Sequence, residues 1–199
     1  MIIAVADKNA SVRPLAEQAE LVAEAKPDMM ILKGDGMSDE EYRTVAKEIA
    51  EICGRHGVEF CASAHIPVAA ALGVKNLCIS VESLEGSVPE GFDKVFVHAA
   101  SEREAADAER RGAYAVIFGN VFDLSCKSCR NAKGLSTLRC LTGTVDIPVI
   151  GAGGILPDVF FEVLSSEAAG VCMTGGFMRS KDPSAVVKAY RDARVRLKL

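Results

Sequence analysis

IPVIGAGGI (147–155) and GVCMTGGF (170–177) each join a short apolar run to a cluster of glycines. Two such junctions in succession are what decides the fold. In a (β/α)₈ barrel, the loops after strands seven and eight often form a phosphate site from backbone N–H groups. Glycine serves there because it permits positive φ and close approach of the backbone to a ligand. Tight turns alone would also use glycine, but clusters at two successive strand ends favour the phosphate site. Gly153, Gly154, Thr174, Gly175 and Gly176 are therefore the candidate phosphate-binding residues, and a phosphorylated small molecule is the expected partner. GAGGI lacks the GxGxxG spacing of a dinucleotide fingerprint and comes late in the chain. Neither HExxH nor GxSxG occurs.

Working back from these junctions, apolar runs recur at 2–6, 29–33, 58–63, 76–80, 94–98 and 114–119. All but the first are nearly continuous, the pattern of parallel strands buried on both faces. Amphipathic stretches separate them. SDEEYRTVAKEIAEICGRHG (38–57) opens on Ser38 with Glu41 at the capping-box spacing. Tyr42, Val45, Ile49 and Ile52 then follow at helical intervals, and Gly54 or Gly57 can end the helix. Further helices are predicted over about 102–111 and 183–197, whereas VESLEGSVPEGFD (81–93) allows only a short helical turn. Eight strands alternating with helices predict one (β/α)₈ TIM-barrel domain over residues 1–199. A doubly wound open sheet has the same alternation, and the glycine clusters favour the barrel over it.

Composition narrows the function classes. The 199 residues are 49% hydrophobic and 25% charged, with a formal charge of −4 from well-mixed acids and bases. That argues against a nucleic-acid partner. No apolar run approaches the roughly 20 residues of a membrane span, and the N-terminus has no basic leader. A cytoplasmic location is expected, and a homo-oligomer is left open. Seven cysteines, an odd number, fit a reducing compartment. Cys61, Cys78 and Cys172 sit inside apolar runs and read as packing. Cys126 and Cys129 form a lone CxxC with neither a second cluster nor a thioredoxin-like context, which argues against zinc and against a redox dithiol.

The chain resembles the thiamine phosphate synthase and TenI family over nearly its whole length. GAYAVIFGNVFDLSCK resembles that family's strand-six segment, typically GADYVxxGPVFPTxTK. KGLSTLRCL and DIPVIGAGGI resemble its GLxxLxxL and IPVVAIGGI, and GVCMTGGFM stands where the family has GVAVVSAIF. The resemblance implies a TIM barrel in which a pyrimidine pyrophosphate is joined to a thiazole phosphate. Pyrophosphate departs with help from Mg²⁺ and basic residues, and the thiazole nitrogen captures the pyrimidine methyl cation.

Carried over residue by residue, the resemblance implies a catalytic role for Lys127, the lysine of the strand-six loop. It places Gly153 and Gly154 at the thiazole phosphate. Gly175 stands where the family usually has a serine. Lys33 replaces the family's arginine on strand two, keeping the charge without the planar fork. Ser63-Ala64 replace an Asn-Asp pair, and His65 stands at an arginine position. Ser83 replaces an aspartate, leaving adjacent Glu82 as the candidate metal ligand, with Asp35 as the alternative. Asp7 ends the first strand as an aspartate commonly does in this family. Ser63, His65, Asp7 and Cys126 are the expected substrate-lining residues. His98 replaces a serine at the end of strand five, where it would face the mouth as a general acid or base. The alternative is a histidine satisfied by local hydrogen bonds. Three functions stay open at this point: the Mg²⁺-dependent synthase, a TenI-like tautomerase using His98, and a non-catalytic binder of a phosphorylated molecule. The last two would need no cofactor.

Overall fold

Each apolar run pairs with its sequence neighbours, because strands buried on both faces can satisfy their N–H and C=O groups only through other strands. The computed structural model describes residues 1–122 and 132–197. Its strands are β1 (Ile2–Ala6), β2 (Met29–Leu32), β3 (Glu59–Ser63), β4 (Asn76–Ser80), β5 (Lys94–Ala99), β6 (Ala115–Phe118), β7 (Val149–Ala152) and β8 (Gly170–Met173). They pair in parallel in chain order, and β8 closes on β1 with Ile2 opposite Val171 and Ala4 opposite Met173. The barrel expected from the glycine junctions is the one observed, and the open sheet is excluded.

The side-chain period of two divides every strand between two cores. Ile3, Met29, Ile31, Cys61, Cys78, Phe96, Ile117, Ile150 and Cys172 point inward and fill the barrel. Their neighbours, among them Ala4, Met30, Leu32, Ala62, Leu77, Val97, Val116 and Val171, pack outward against the helices. A slip of one residue would exchange the two sets, so the register is strongly specified. The three inward cysteines are packing, as expected. Burial pushes the Cys172 thiol up to about 12 and holds those of Cys61 and Cys78 well above the usual thiol value.

Eight helices cover the barrel among the described residues: α1 (Leu15–Glu24), α2 (Asp39–His56), α3 (Ile66–Ala71), α4 (Glu102–Arg110), α5 (Gly134–Thr142), α6 (Phe160–Ser165), the short α7 (Gly175–Met178) and α8 (Pro183–Arg196). α2 follows its sequence reading closely. Ser38 Oγ accepts from the Glu41 amide at 3.2 Å, and Gly57 closes the helix in the left-handed conformation. The capping box is only half made, because the Glu41 carboxylate turns to Lys8 at 2.7 Å instead. Residues 81–93 hold a single 3₁₀ turn at Val81–Ser83, the short turn their glycines and proline allowed. No helix among the described residues is long and apolar enough to cross a membrane.

Candidate active site at the barrel mouth

The same period of two builds the site. Two residues beyond inward-facing Ile31, Cys61, Cys78 and Phe96 come Lys33, Ser63, Ser80 and His98, all at the C-terminal ends of their strands. These four line a cavity of about 980 Å³ whose floor includes Ile31, Cys78, Ile117 and Cys172. The C-terminal face is where barrels of this kind carry their chemistry. A cavity near the upper end of the usual range for ligand sites has room for two small substrates side by side.

On one side of the mouth, Lys33 bridges two carboxylates. Its Nζ lies 3.2 Å from Asp7 Oδ2 and 3.3 Å from Asp35 Oδ2. Burial pulls its pKa down, but the hydrogen bond and charge of Asp7, aided by Asp35, outweigh that and hold the ammonium above the ordinary lysine value. Asp7 is buried and does not itself line the cavity. Its second oxygen accepts from the Asn9 amide at 2.9 Å, so it fixes the turn after β1 and orients Lys33 at once. Asp35, the alternative to Glu82 as a metal ligand in the sequence reading, lines the cavity and is well exposed.

Ser63 reaches the mouth as expected, with its amide donating to the Tyr42 hydroxyl at 2.9 Å. His65 does not line the cavity. Ala64 and His65 both adopt positive φ, 56° and 42°, and this turns the imidazole away from the mouth. The ring stacks on Tyr42 at 4.3 Å, with Nδ1 2.6 Å from Asp39 Oδ1 and Nε2 3.2 Å from the Gly34 carbonyl. Both nitrogens are thus engaged in holding the β3–α3 turn.

Beyond β4 and β5, Ser80, Glu82, His98 and Glu104 line the wall. A hydrogen bond from Ser80 holds the Glu82 carboxyl below the usual carboxylate range. His98 makes no side-chain hydrogen bond among the described residues, although its ring is open to the cavity. The surrounding barrel wall lowers its pKa from the ordinary value of 6.5, against a smaller pull from Asp35 in the opposite direction. Water in the open mouth moderates the effect without changing its sign. A lowered histidine pKa means that the unfolded chain binds the proton more tightly. The protein should therefore lose stability as pH falls below 6.5, through the folded-state value. His98→Asn is expected to flatten part of that acid-side loss of Tm between pH 7.5 and 5, read by thermal melts at fixed ionic strength. Superimposable wild-type and variant curves would contradict it.

The opposite side is made of backbone. Gly153 and Gly154 adopt φ of +83° and +66°, and a Cβ on Gly153 would lie 2.4 Å from Asn120 Oδ1. Thr174, Gly175 and Gly176 continue the wall from β8 into α7, and Arg179 stands at the end of that turn. Among the described residues, no loop carbonyl accepts from the amides of Gly154, Gly175 or Gly176. All five residues expected at a phosphate thus lie on one cavity. Lys127, Cys126 and Cys129 lie outside the described residues. Sequence reasoning missed Ser80, the last residue of β4, and Glu104, Asn120 and Arg179, which follow strand ends in segments without a regular period.

The one compact trio of metal-type ligands among the described residues is Glu20, Glu24 and His56, away from the mouth between α1 and α2. Glu20 pairs there with both Arg55 and His56, so the group is satisfied as an ion-pair cluster. In the mouth, the carboxylates that line the cavity and stay open to it are Asp35, Glu82 and Glu104. Glu104 also accepts from the Ala100 amide at 2.7 Å. Mg²⁺ usually takes one or two protein carboxylates and completes its shell with water and substrate phosphates, and Asp35 and Glu82 fit that demand.

Comparison with known proteins gives one consistent picture. The family model described as thiamine monophosphate synthase matches residues 2–177. The thiamine-phosphate synthase of Chlorobium phaeobacteroides is 25% identical over 179 residues, covering 87% of each chain. That of Moorella thermoacetica is 29% identical over 157 residues, covering 76% of this chain and 75% of its own. Among solved structures, thiamine phosphate pyrophosphorylase from Pyrococcus furiosus superposes with a TM-score of 0.86 at 21% identity, covering 98% of this chain and 96% of its own. A 3-hexulose-6-phosphate synthase matches the fold less closely, with a TM-score of 0.70 at 18% identity and coverage of 97% and 99%.

Proposed function

The chain belongs to the thiamine monophosphate synthase family, and from that premise we propose that it joins a thiazole phosphate to a pyrimidine pyrophosphate, releasing pyrophosphate. The observation that carries this reading is the two-sided cavity. The Gly153-Gly154 backbone forms one wall and the Lys33 ammonium the other, with room between them for both substrates.

In this reading the thiazole phosphate rests on the amides of Gly154, Gly175 and Gly176. Its ring then lies over the apolar floor of Ile31, Cys78, Ile117 and Cys172. The pyrimidine pyrophosphate enters from the Lys33 side. The bond between the pyrimidine methylene carbon and the pyrophosphate oxygen breaks, and the oxygen leaves with the electron pair. The thiazole nitrogen then donates its lone pair to the methylene carbon, forming the new C–N bond and a thiazolium. No net proton transfer is needed. Lys33 stabilises the charge developing on the leaving group, a contribution that grows toward the transition state. Lys127 is proposed to act beside it from the strand-six loop. Asp35 and Glu82 would hold Mg²⁺, whose chemistry here is to neutralise part of the departing pyrophosphate's charge.

The test is direct. Purified protein with both substrates and Mg²⁺ should form thiamine phosphate and pyrophosphate in equal amounts, and the coding sequence should rescue a thiamine auxotroph lacking its synthase. Soluble protein that yields neither product nor rescue would overturn the proposal.

A further inference from the structure

Two substitutions relative to the resembled family pattern, together with one arginine, set which donors surround the phosphate wall. Gly175 stands where the resembled family pattern carries a serine, so one hydroxyl donor is missing. Asn120 stands where that pattern carries a proline, and its amide side chain faces Gly153 closely enough that any Cβ there would collide with it. Arg179 sits one helical turn beyond Gly175, at the end of α7, and lines the same cavity.

Arg179 differs from the other cation of the described mouth. Lys33 is bound by Asp7 and Asp35. Arg179 makes no ion pair among the described residues, and the lining carboxylates belong to segments following β2, β4 and β5. Its backbone is fixed, the amide donating to the Gly175 carbonyl at 3.1 Å. An arginine without an ion pair, lining the cavity beside a wall of backbone amides, is matched by a phosphate monoester dianion. Its fork can engage two of the phosphate oxygens, which a serine hydroxyl cannot do.

We propose that Arg179 is the charged clamp for the substrate's phosphate monoester and replaces the donor lost at Gly175. This deepens the synthase reading and rests on it for the identity of the phosphorylated substrate, though not for the presence of a phosphate group. Arg179 acts by binding, and its contribution is specific to the phosphate end of the ligand. Gly175 itself has open space around its Cβ position, so the lost hydroxyl can be restored without displacing anything.

The experiment measures dissociation constants by calorimetry for thiazole phosphate, the unphosphorylated thiazole alcohol and inorganic phosphate. Wild type, Arg179→Gln, Arg179→Lys and the double variant Arg179→Gln/Gly175→Ser are compared. Loss of a charge-assisted hydrogen-bonded contact predicts that Arg179→Gln weakens thiazole phosphate by about tenfold to a hundredfold. The alcohol should be unaffected, Arg179→Lys intermediate, and the double variant partly restored. Equal weakening of phosphate and alcohol would reveal a merely structural role and overturn the proposal, as would unchanged affinity for thiazole phosphate. If wild type ignores thiazole phosphate but binds inorganic phosphate in an Arg179-dependent way, the clamp stands and the synthase reading fails. If wild type binds neither, the clamp falls.

Discussion

Replacing Lys33 by methionine is expected to lower kcat/KM for thiamine phosphate formation by about a hundredfold to a thousandfold, the usual cost of removing one preorganised donor from a developing anion. The loss should appear mainly in kcat, because the charge on the leaving oxygen is largest in the transition state. A smaller effect on folding accompanies it. Asp7 is only 8% exposed and would keep the Asn9 amide while losing its cation. Asp35, at 70% side-chain exposure, would be solvated. Half-buried pairs of this sort fall between the exposed and the buried limits, so a loss of about 1–2 kcal/mol is expected. For a chain of this size that lowers Tm by roughly 2–8 °C. Lys33→Arg restores the charge with a longer, forked group and should recover most of both properties. Steady-state kinetics and melts on the three proteins decide the matter, and an unimpaired Lys33→Met enzyme would remove Lys33 from the reaction. The pH dependence also separates the roles. A lysine whose pKa is raised above 10.5 contributes its full stability below that value and loses it only as pH rises through the folded-state value. Lys33 is therefore silent between pH 5 and 9, and the acid-side change belongs to His98, whose pKa the surrounding barrel wall lowers.

The barrel was legible because its causes are local and repeated. Strands enclosed on both faces must be apolar throughout, and strands that meet a ligand through backbone amides must end in small residues. Those two demands wrote IPVIGAGGI and GVCMTGGF. The family resemblance then extended the reading to the mouth, and the period of two explains why Lys33, Ser63 and His98 arrive there, each continuing an inward-facing row. The reading stopped where the backbone leaves the strand conformation. His65 follows Ser63 by two residues, but consecutive positive φ values at Ala64 and His65 carry its ring to Tyr42. No composition rule marks a non-glycine pair for that conformation. Glu104 and Arg179 enter the cavity from loops and helix ends, where a residue's direction depends on the path of the chain rather than on its spacing. The family pattern could not point to Arg179, because its phosphate donors are a serine and glycines. The signal was instead the missing serine, which raises the question of what replaces it.

Substitution of Gly154 by alanine should damage the phosphate wall severely. The residue has φ of +66°, and its Cβ would lie 2.7 Å from Phe122 Cβ and 2.8 Å from the Phe122 carbonyl oxygen. The left-handed conformation alone costs an L-residue about 1–2 kcal/mol. The contact with backbone cannot be relieved by a rotamer change, so either the β7–α6 turn or the start of the strand-six loop must shift. Phe122 also donates its amide to the Gly153 carbonyl at 3.2 Å, and movement of one partner disturbs the other. A total loss of about 2–3 kcal/mol is expected, or roughly 4–12 °C in Tm. The amides of Gly154 and its neighbours would also turn away from a bound phosphate, weakening thiazole phosphate by at least about tenfold, since a lost hydrogen bond to a charged group is worth about 1.5–3 kcal/mol. Gly175→Ala supplies the control on the same wall. Its φ is not positive and no atom lies within 4 Å of its Cβ position, so its melting temperature should stay close to wild type. The contrast tests whether backbone geometry, rather than mere smallness, selects these glycines. Equal stability and equal phosphate affinity in the two alanine variants would show that the Gly153-Gly154 turn is not the cradle.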